Sequence, residues 1–501
     1  MRTKLLYILS LLMLPLSAWA DGVEIGGIHY ILDEETKTAS VTYTGESFES
    51  NYAGDIVIPA SVTYDKKPYA VTSIGQYAFY NCDYMTSVSI PNSVTSIEAC
   101  AFDGCSGLTS VTIPNSVTDI KSWAFSRCTN LVSITIPNSV ERIGSRTFEN
   151  CWSLTSINIP ASVESIDDWT FMDCHSLESI TVDAGNTVYD SRESCNAIIE
   201  TENNKLIAGC KNSFIPNTVT WIYEAAFYAC DGLTSITIPN SVATIGPVAF
   251  QGCDGLTSIY IPASVTGIGD YAFSDCANLA SITVDAENIV YDSREGCNAI
   301  IETASNKLIT GCKNSFIPNT VTTIGYNAFS NCRGLESITI PYSVTTIEEW
   351  AFNGCYEMTS INLPNSLTTI ENSAFWGCDG VTTLVIPASV ESIGDYAFYF
   401  CTALKDIYAL RTSPLDYNTG EDIFGGFDTS TCNLHVISGC AEIYSVYTEW
   451  NKFNIVDDIP TGITDAQLST FNSQLIYDLQ GRRVRNAQKG IYIQDGKKLM
   501  R

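Results

Sequence analysis

Cysteine recurs every 23 residues along most of this 501-residue chain, and a fixed period of that length admits very few folds. Cys82, Cys105, Cys128, Cys151 and Cys174 form one run. Cys230, Cys253 and Cys276 form a second, and Cys332, Cys355, Cys378 and Cys401 a third. The runs are separated by two gaps of 56 residues. Each gap holds the same insertion, at residues 182–222 and 284–324, with Val-Tyr-Asp-Ser-Arg-Glu, Cys-Asn-Ala-Ile-Ile-Glu-Thr and Gly-Cys-Lys-Asn-Ser-Phe-Ile-Pro-Asn-Thr-Val-Thr in both copies. The copies lie 102 residues apart, the mark of a duplicated block. A chain of this kind is a stack of equivalent turns rather than a string of globular domains.

One turn, residues 108–128, shows how the stack is built. Val111 and Ile113 alternate with Ser110 and Thr112, the period-two pattern of a strand with one buried face. Pro114 cannot donate to a strand ladder and ends it. Val117 and Ile120 enter the interior from a second, shorter extended piece. Ala124, Phe125 and Cys128 fall at i, i+1 and i+4, which predicts a short helical turn. These seven inward side chains cannot offset the conformational entropy of one turn folding alone, so neighbouring turns must share a core.

Composition removes whole classes of function. With 45% apolar and 16% charged residues the chain is not wholly disordered. Fifty-five acidic residues against 26 basic give a net charge of −29, which repels nucleic-acid backbones and anionic lipid; no nucleic-acid partner is expected. The histidines are His29, His175 and His435, too few for a chemistry resting on imidazole, and no serine–carboxylate constellation repeats around His175. Carboxylates such as Asp119, Asp167, Asp168 and Asp270 read as a solvated face. Asp183, Asp190 and Glu193 are the nearest approach to a calcium cluster, but no recognised calcium loop surrounds them. Phosphate-cradling and C-x-x-C motifs are missing. No catalytic residue, metal ligand or cofactor is therefore expected, and the chain is not read as an enzyme.

Residues 1–20 combine Arg2 and Lys4, an apolar run from Leu5 to Leu14 and the small-residue exit Ala18-Trp19-Ala20. This is the pattern of a secretory signal peptide cut between Ala20 and Asp21. The apolar run is shorter than the ~20 residues of a membrane-spanning helix, so an exported protein is expected rather than an integral membrane one.

The consensus Leu-x-x-Ile-x-Ile-Pro-x-Ser-Val-x-x-Ile-Gly-x-x-Ala-Phe-x-x-Cys, carried by residues 58–407, resembles the BspA-like leucine-rich-repeat proteins of bacterial cell surfaces. The resemblance implies a leucine-rich-repeat solenoid, mainly β with short helical turns, exported and displayed, in a family whose members act as adhesins for host matrix proteins or other microbes. The shared positions are core positions, so the resemblance transfers no ligand-contacting residue. Residues 21–57 read as an N-terminal β cap and residues 408–458 as the opposite cap, with Trp450, Phe453 and Ile455. The first turn carries a nine-residue expansion around residues 64–68. Residues 459–474 read as a linker. Residues 475–501 are similar to the C-terminal sorting tails of type IX secretion, with a small β-hairpin on the cap as the alternative.

Of the 19 cysteines, those in the 23-residue column read as small buried hydrophobes, since in-register neighbours suit stacking better than bridging. In the insertions an antiparallel hairpin would place Glu200 opposite Lys205 and Cys195 opposite Cys210, and likewise Glu302 opposite Lys307 and Cys297 opposite Cys312. Those two cysteine pairs are candidate disulfides, with Cys432 and Cys440 a weaker third.

Two surface features remain. Hydroxyls such as Ser110, Thr112, Ser133 and Thr135 line the outward strand positions, where β-propensity alone accounts for them. Two residues before the core phenylalanine, six turns carry an aromatic: Tyr77, Trp123, Trp169, Tyr271, Trp350 and Tyr396. Such a column either packs between turns or forms a contact surface for a protein or a sugar. The expected function is non-enzymatic binding of an extracellular protein or glycan by a monomer, with adhesion first and carbohydrate capture by an accessory protein as the alternative.

Overall fold

The computed structural model describes residues 22–45, 50–415 and 422–461 with their side chains, and within residues 476–500 the backbone of four strands. The expected leader with its Ala20–Asp21 junction, and most of the 459–474 linker, lie outside the described residues. The chain divides into two units, Met1–Phe250 and Gln251–Arg501, each a β-solenoid.

In the first unit the long strands Ser110–Thr112, Ser133–Thr135, Ser156–Ile159 and Ser179–Val182 stack in parallel with Ser110, Ser133, Ser156 and Ser179 side by side. The short strands Ser96–Ile97, Asp119–Ile120, Arg142–Ile143 and Ser165–Ile166 form a second parallel sheet. Between the two, the Pro114 carbonyl accepts the Val117 N–H at 3.1 Å and closes a tight corner. The serine of some Pro-x-Ser-Val corners stitches one turn to the last: Ser139 Oγ donates to the Val117 carbonyl and Ser162 Oγ to that of Val140, both at 2.7 Å.

The third side is not helical. Ala124, Phe125 and Cys128 are all buried as expected, but they lie on a chain of β-turns. Trp123 and Arg127 adopt positive φ of 57° and 55°, which no α-helix contains. The physical reason is hydrogen bonding. Ala124 N–H donates within its own turn to Lys121, whereas Phe125 N–H donates to the Thr147 carbonyl of the next turn. A helix would satisfy every N–H internally and leave nothing to join the turns.

Inside, the phenylalanines stack as a column. Phe79, Phe102 and Phe125 follow one another at 5.1 Å with rings within 10° of parallel, close to the spacing of adjacent strands. The cysteine column runs beside it, most of its thiols donating to a phenylalanine carbonyl of the preceding turn: Cys105 to Phe79 at 3.0 Å, Cys128 to Phe102 and Cys151 to Phe125 at 3.2 Å.

At the N-terminal end, antiparallel strands Val23–Ile25, Ile28–Asp33 and Thr38–Thr42 lead into a parallel pairing with Lys67–Ile74, which continues the short-strand sheet. The expansion at residues 64–68 is a hairpin between Ser61–Tyr64 and Lys67–Ile74, turning on Asp65 and Lys66 at positive φ. Gly54–Val57 already pairs in parallel with Met85–Ser89, so solenoid pairing begins inside the stretch read as cap.

Each insertion is an antiparallel hairpin that replaces one turn. Ala197–Glu200 pairs with Lys205–Gly209, and Glu200 does face Lys205. A β-bulge between Ile198 and Ile199 then shifts the register, so Ala197 faces Gly209 and the cysteines beyond it no longer oppose each other. The expected bridges are accordingly not made. Cys195, Cys210, Cys297 and Cys312 are free thiols, as are Cys432 and Cys440. Cys210 Sγ donates instead to the Asn196 carbonyl at 3.5 Å and Cys312 Sγ to that of Asn298 at 3.4 Å.

In the second unit six long strands form one parallel sheet: Ser337–Thr339, Ser360–Asn362, Thr383–Ile386, Asp406–Ala409, Asn433–Ile437 and Asn454–Ile459. The stacking thus outlasts the sequence period by two strands. Phe424 extends the ring column at 5.5 Å from Phe398, and Trp450 and Phe453 close it edge-on. In the last segment Ile476–Tyr477, Arg483–Val484, Ile491–Gln494 and Lys497–Met500 form a four-stranded antiparallel sheet, larger than a hairpin.

Candidate functional site

All six aromatics of the sequence column occupy the left-handed position of the turn chain, with φ between 57° and 65°. That conformation costs a non-glycine residue ~1–2 kcal/mol, and it aims the side chain away from the core. Trp123 is 39% exposed; the other five are half-buried. They do not form one continuous column. Tyr77 packs edge-on against Tyr80 at 5.5 Å, and Tyr271 against Tyr326 at 5.4 Å with their hydroxyls 2.7 Å apart. Trp169 lies beneath the Arg146 guanidinium at 4.7 Å.

Trp350 and Tyr396 are brought together, and by a residue the sequence pattern did not single out. Trp376 stands between them, 6.2 Å from Trp350 and 6.5 Å from Tyr396. Tyr399 meets Trp376 edge-on at 6.2 Å and Phe400 stacks on it at 6.2 Å. Five rings from three successive turns therefore make one aromatic face. Phe400 is 42% exposed and the others half-buried. Trp376 and Tyr399 follow the core phenylalanine by one position and Phe400 by two, so a rule tied to one turn position misses them. Their sequence trace is an aromatic at the same offset in adjacent turns.

Carboxylates fringe this face. Trp350 Nε1 donates to Glu349 Oε1 at 3.0 Å, and the Glu349 N–H donates to Glu371 Oε2 at 3.1 Å. From residue 334 to 404 the chain has eight acidic residues and no lysine, arginine or histidine. The first unit contrasts with this. Arg127 lies over Tyr80, Arg146 over Trp169 and Lys205 over Trp221 and Tyr223.

Among the described residues no three of His, Cys, Asp and Glu gather as a metal site. Asp190, considered above for calcium, is gripped by Arg192 at 2.8 Å, and Arg192 reaches Asn204 and Thr218 as well. Among the described residues no helix is long and apolar enough to cross a membrane.

No curated protein matches the chain. A leucine-rich-repeat protein of Bacteroides ovatus is similar at 28% identity, over 77% of this chain and 94% of its own, with a TM-score of 0.43. A leucine-rich cell surface protein of Faecalibacterium prausnitzii is similar at 28% identity, over 89% and 96%, also at 0.43. A leucine-rich-repeat protein of Eubacterium ventriosum is similar at 24% identity, over 70% and 92%, at 0.46. The family described as the BspA type leucine-rich-repeat region matches in six copies across residues 72–196, 204–310 and 300–415. With strand stacking, ring column and repeat consensus all in register over most of its length, the chain belongs to the BspA type leucine-rich-repeat family.

Proposed function

We propose that this is an exported, surface-displayed binding protein that does no chemistry and adheres to host matrix proteins or to other cells through its solenoid surface. The family to which the chain belongs supports a non-enzymatic binding role. The observation that carries the reading is the five-ring face of residues 350–400, held on turns whose backbones are cross-bonded, as Trp350 N–H is to the Asn372 carbonyl at 3.1 Å. Aromatic side chains on an already ordered scaffold lose little conformational freedom on binding, and they are enriched where proteins meet.

Pull-down with the full-length protein against matrix proteins and coaggregating bacteria is expected to retain a ligand. Failure across a broad panel, by protein whose fold is verified, would end the adhesion reading. Labelling of intact cells with and without residues 475–501 tests display and the sorting role of the tail; equal surface signal from both would remove that role. The second reading, capture of carbohydrate, draws on the exposed ring of Trp123. It expects glycan-array binding that disappears in Trp123→Ala and Trp169→Ala.

A further inference from the structure

We infer that the aromatic face of Trp350, Trp376, Tyr396, Tyr399 and Phe400 is the seat of a lysine- or arginine-bearing segment of a protein partner. This rests on the binding reading above and names the chemistry of what is bound. Three observations point to a cation. The rings are clustered and partly solvent-facing, so their negative faces are available. Glu349 and Glu371 border them, joined to Trp350 through hydrogen bonds of 3.0 and 3.1 Å. The surrounding stretch, residues 334–404, carries eight acidic residues and no basic one, whereas the comparably acidic stretch around Trp169 already supplies that ring with Arg146.

The first unit shows what such rings recruit when a cation is near. Arg127, Arg146 and Lys205 each lie over an aromatic ring at 4.4–5.6 Å. Among the described residues no lysine or arginine stands over Trp350, Trp376 or Phe400. The second unit therefore has the ring and carboxylate parts of such a contact, and an incoming guanidinium or ammonium supplies the third. A neutral sugar would stack on the same rings and donate hydroxyls to the carboxylates, but it would gain nothing from the net negative charge of a border cleared of cations. Arginine fits better than lysine, because its planar group stacks on Trp376 while its N–H groups reach a carboxylate.

The test is equilibrium binding of the full-length protein at physiological salt to three probes: an Arg/Lys-Gly-Ser peptide, its Glu-Gly-Ser counterpart, and neutral oligosaccharides. The basic peptide alone is expected to bind. Trp376→Ala should weaken it about tenfold and Glu349→Gln with Glu371→Gln several-fold, with affinity falling as salt rises. Trp376→Phe, which keeps a ring, should recover most of the loss. Phe400→Ser, at a more exposed position, checks that the effect is not one of misfolding. Tyr84→Ala and Glu141→Gln, at exposed positions of the first unit, should change nothing.

Equal loss in the first-unit controls would mean diffuse attraction to a chain of net charge −29 and would overturn the inference. So would sugar binding lost in Trp376→Ala without peptide binding. Retention of a matrix ligand by Trp376→Ala at wild-type strength would remove this face alone and leave the adhesion reading standing.

Discussion

Cys128 illustrates what the repeating thiol does. It is fully buried, small enough to sit between turns, and its S–H reaches the Phe102 carbonyl at 3.2 Å. Burial pushes the thiols of Cys105, Cys128 and Cys151 well up, and those of Cys174 and Cys401 up to about 12. At neutral pH these five thiols are therefore protonated and unreactive. A thiol reagent at pH 8 is expected to label these positions at a small fraction of the rate seen in denaturant, and comparable rates would show that the column is open to solvent. Phe125→Ala removes a ring from between Phe102 and Phe148 and should cost ~3–5 kcal/mol in urea unfolding. At this scale the sequence was highly legible, since Val111, Ile113, Val117, Ile120, Ala124, Phe125 and Cys128 are all buried as their spacing requires. The handedness of the turn chain was not. Left-handed backbone at Trp123 has no glycine or asparagine to announce it, because cross-turn hydrogen bonds rather than local preference hold it there; the site of Arg127 does leave a trace, in Gly104, Asn150 and Gly354 of other turns.

Among the elements, the insertion hairpins depend on one buried asparagine each. Asn186 Nδ2 donates to the carbonyls of Pro160 and Val163, both at 2.9 Å, and its Oδ1 accepts the N–H groups of Val188 and Tyr189 at 2.9 and 2.8 Å. Asn288 repeats all four bonds with Pro262, Val265, Val290 and Tyr291. The tyrosine beside it finishes the joint, as Tyr189 Oη accepts the Ile166 N–H at 2.9 Å. Asn186→Ala strands several buried groups at once and should cost about 3 kcal/mol, with faster amide exchange at Val188 and Tyr189 and none at Phe102. Unchanged exchange at those two amides would show the joint to be held by something else. The duplicated motif disclosed that an element existed and which residues faced across it near Glu200. It did not disclose the bulge, whose extra residue is set by how the hairpin meets the sheet, and that single residue decides the fate of the cysteine pairs. The aromatic face was half legible for a similar reason. Trp350 and Tyr396 share a turn position, whereas Trp376 reaches them from another.

For the molecule as a whole, the C-terminal end is where pH should matter. His435 stacks on Tyr408 at 4.3 Å, with Nδ1 2.9 Å from Asp458 and Nε2 3.3 Å from Asp406. Burial pulls its pKa down, but the hydrogen bonds and charges of the two aspartates outweigh it, and the imidazole is held above its ordinary value. A group raised in this way contributes stability that is complete below the unfolded value of ~6.5 and fades as pH climbs through the folded one. Urea midpoints for the C-terminal cap are thus expected to fall as pH rises from 6 to 8.5, and His435→Gln should flatten that slope. An unchanged slope in the variant would assign the effect elsewhere. The cap also shows where periodicity stops informing: Leu434 and Ile455 continue the stack without the repeat consensus, because a strand needs a partner edge and an inward side chain but no particular spelling. The hairpins carry a consequence for ancestry. Each passes the chain on in parallel register, Leu206 beside Ile222 and Leu308 beside Ile324. Unequal crossing-over between the two matching gene segments would add or delete a whole 102-residue cassette at a seam where every strand still finds its neighbour. Variants of different reach would then arise in a single genetic event, with no need to reinvent the ends.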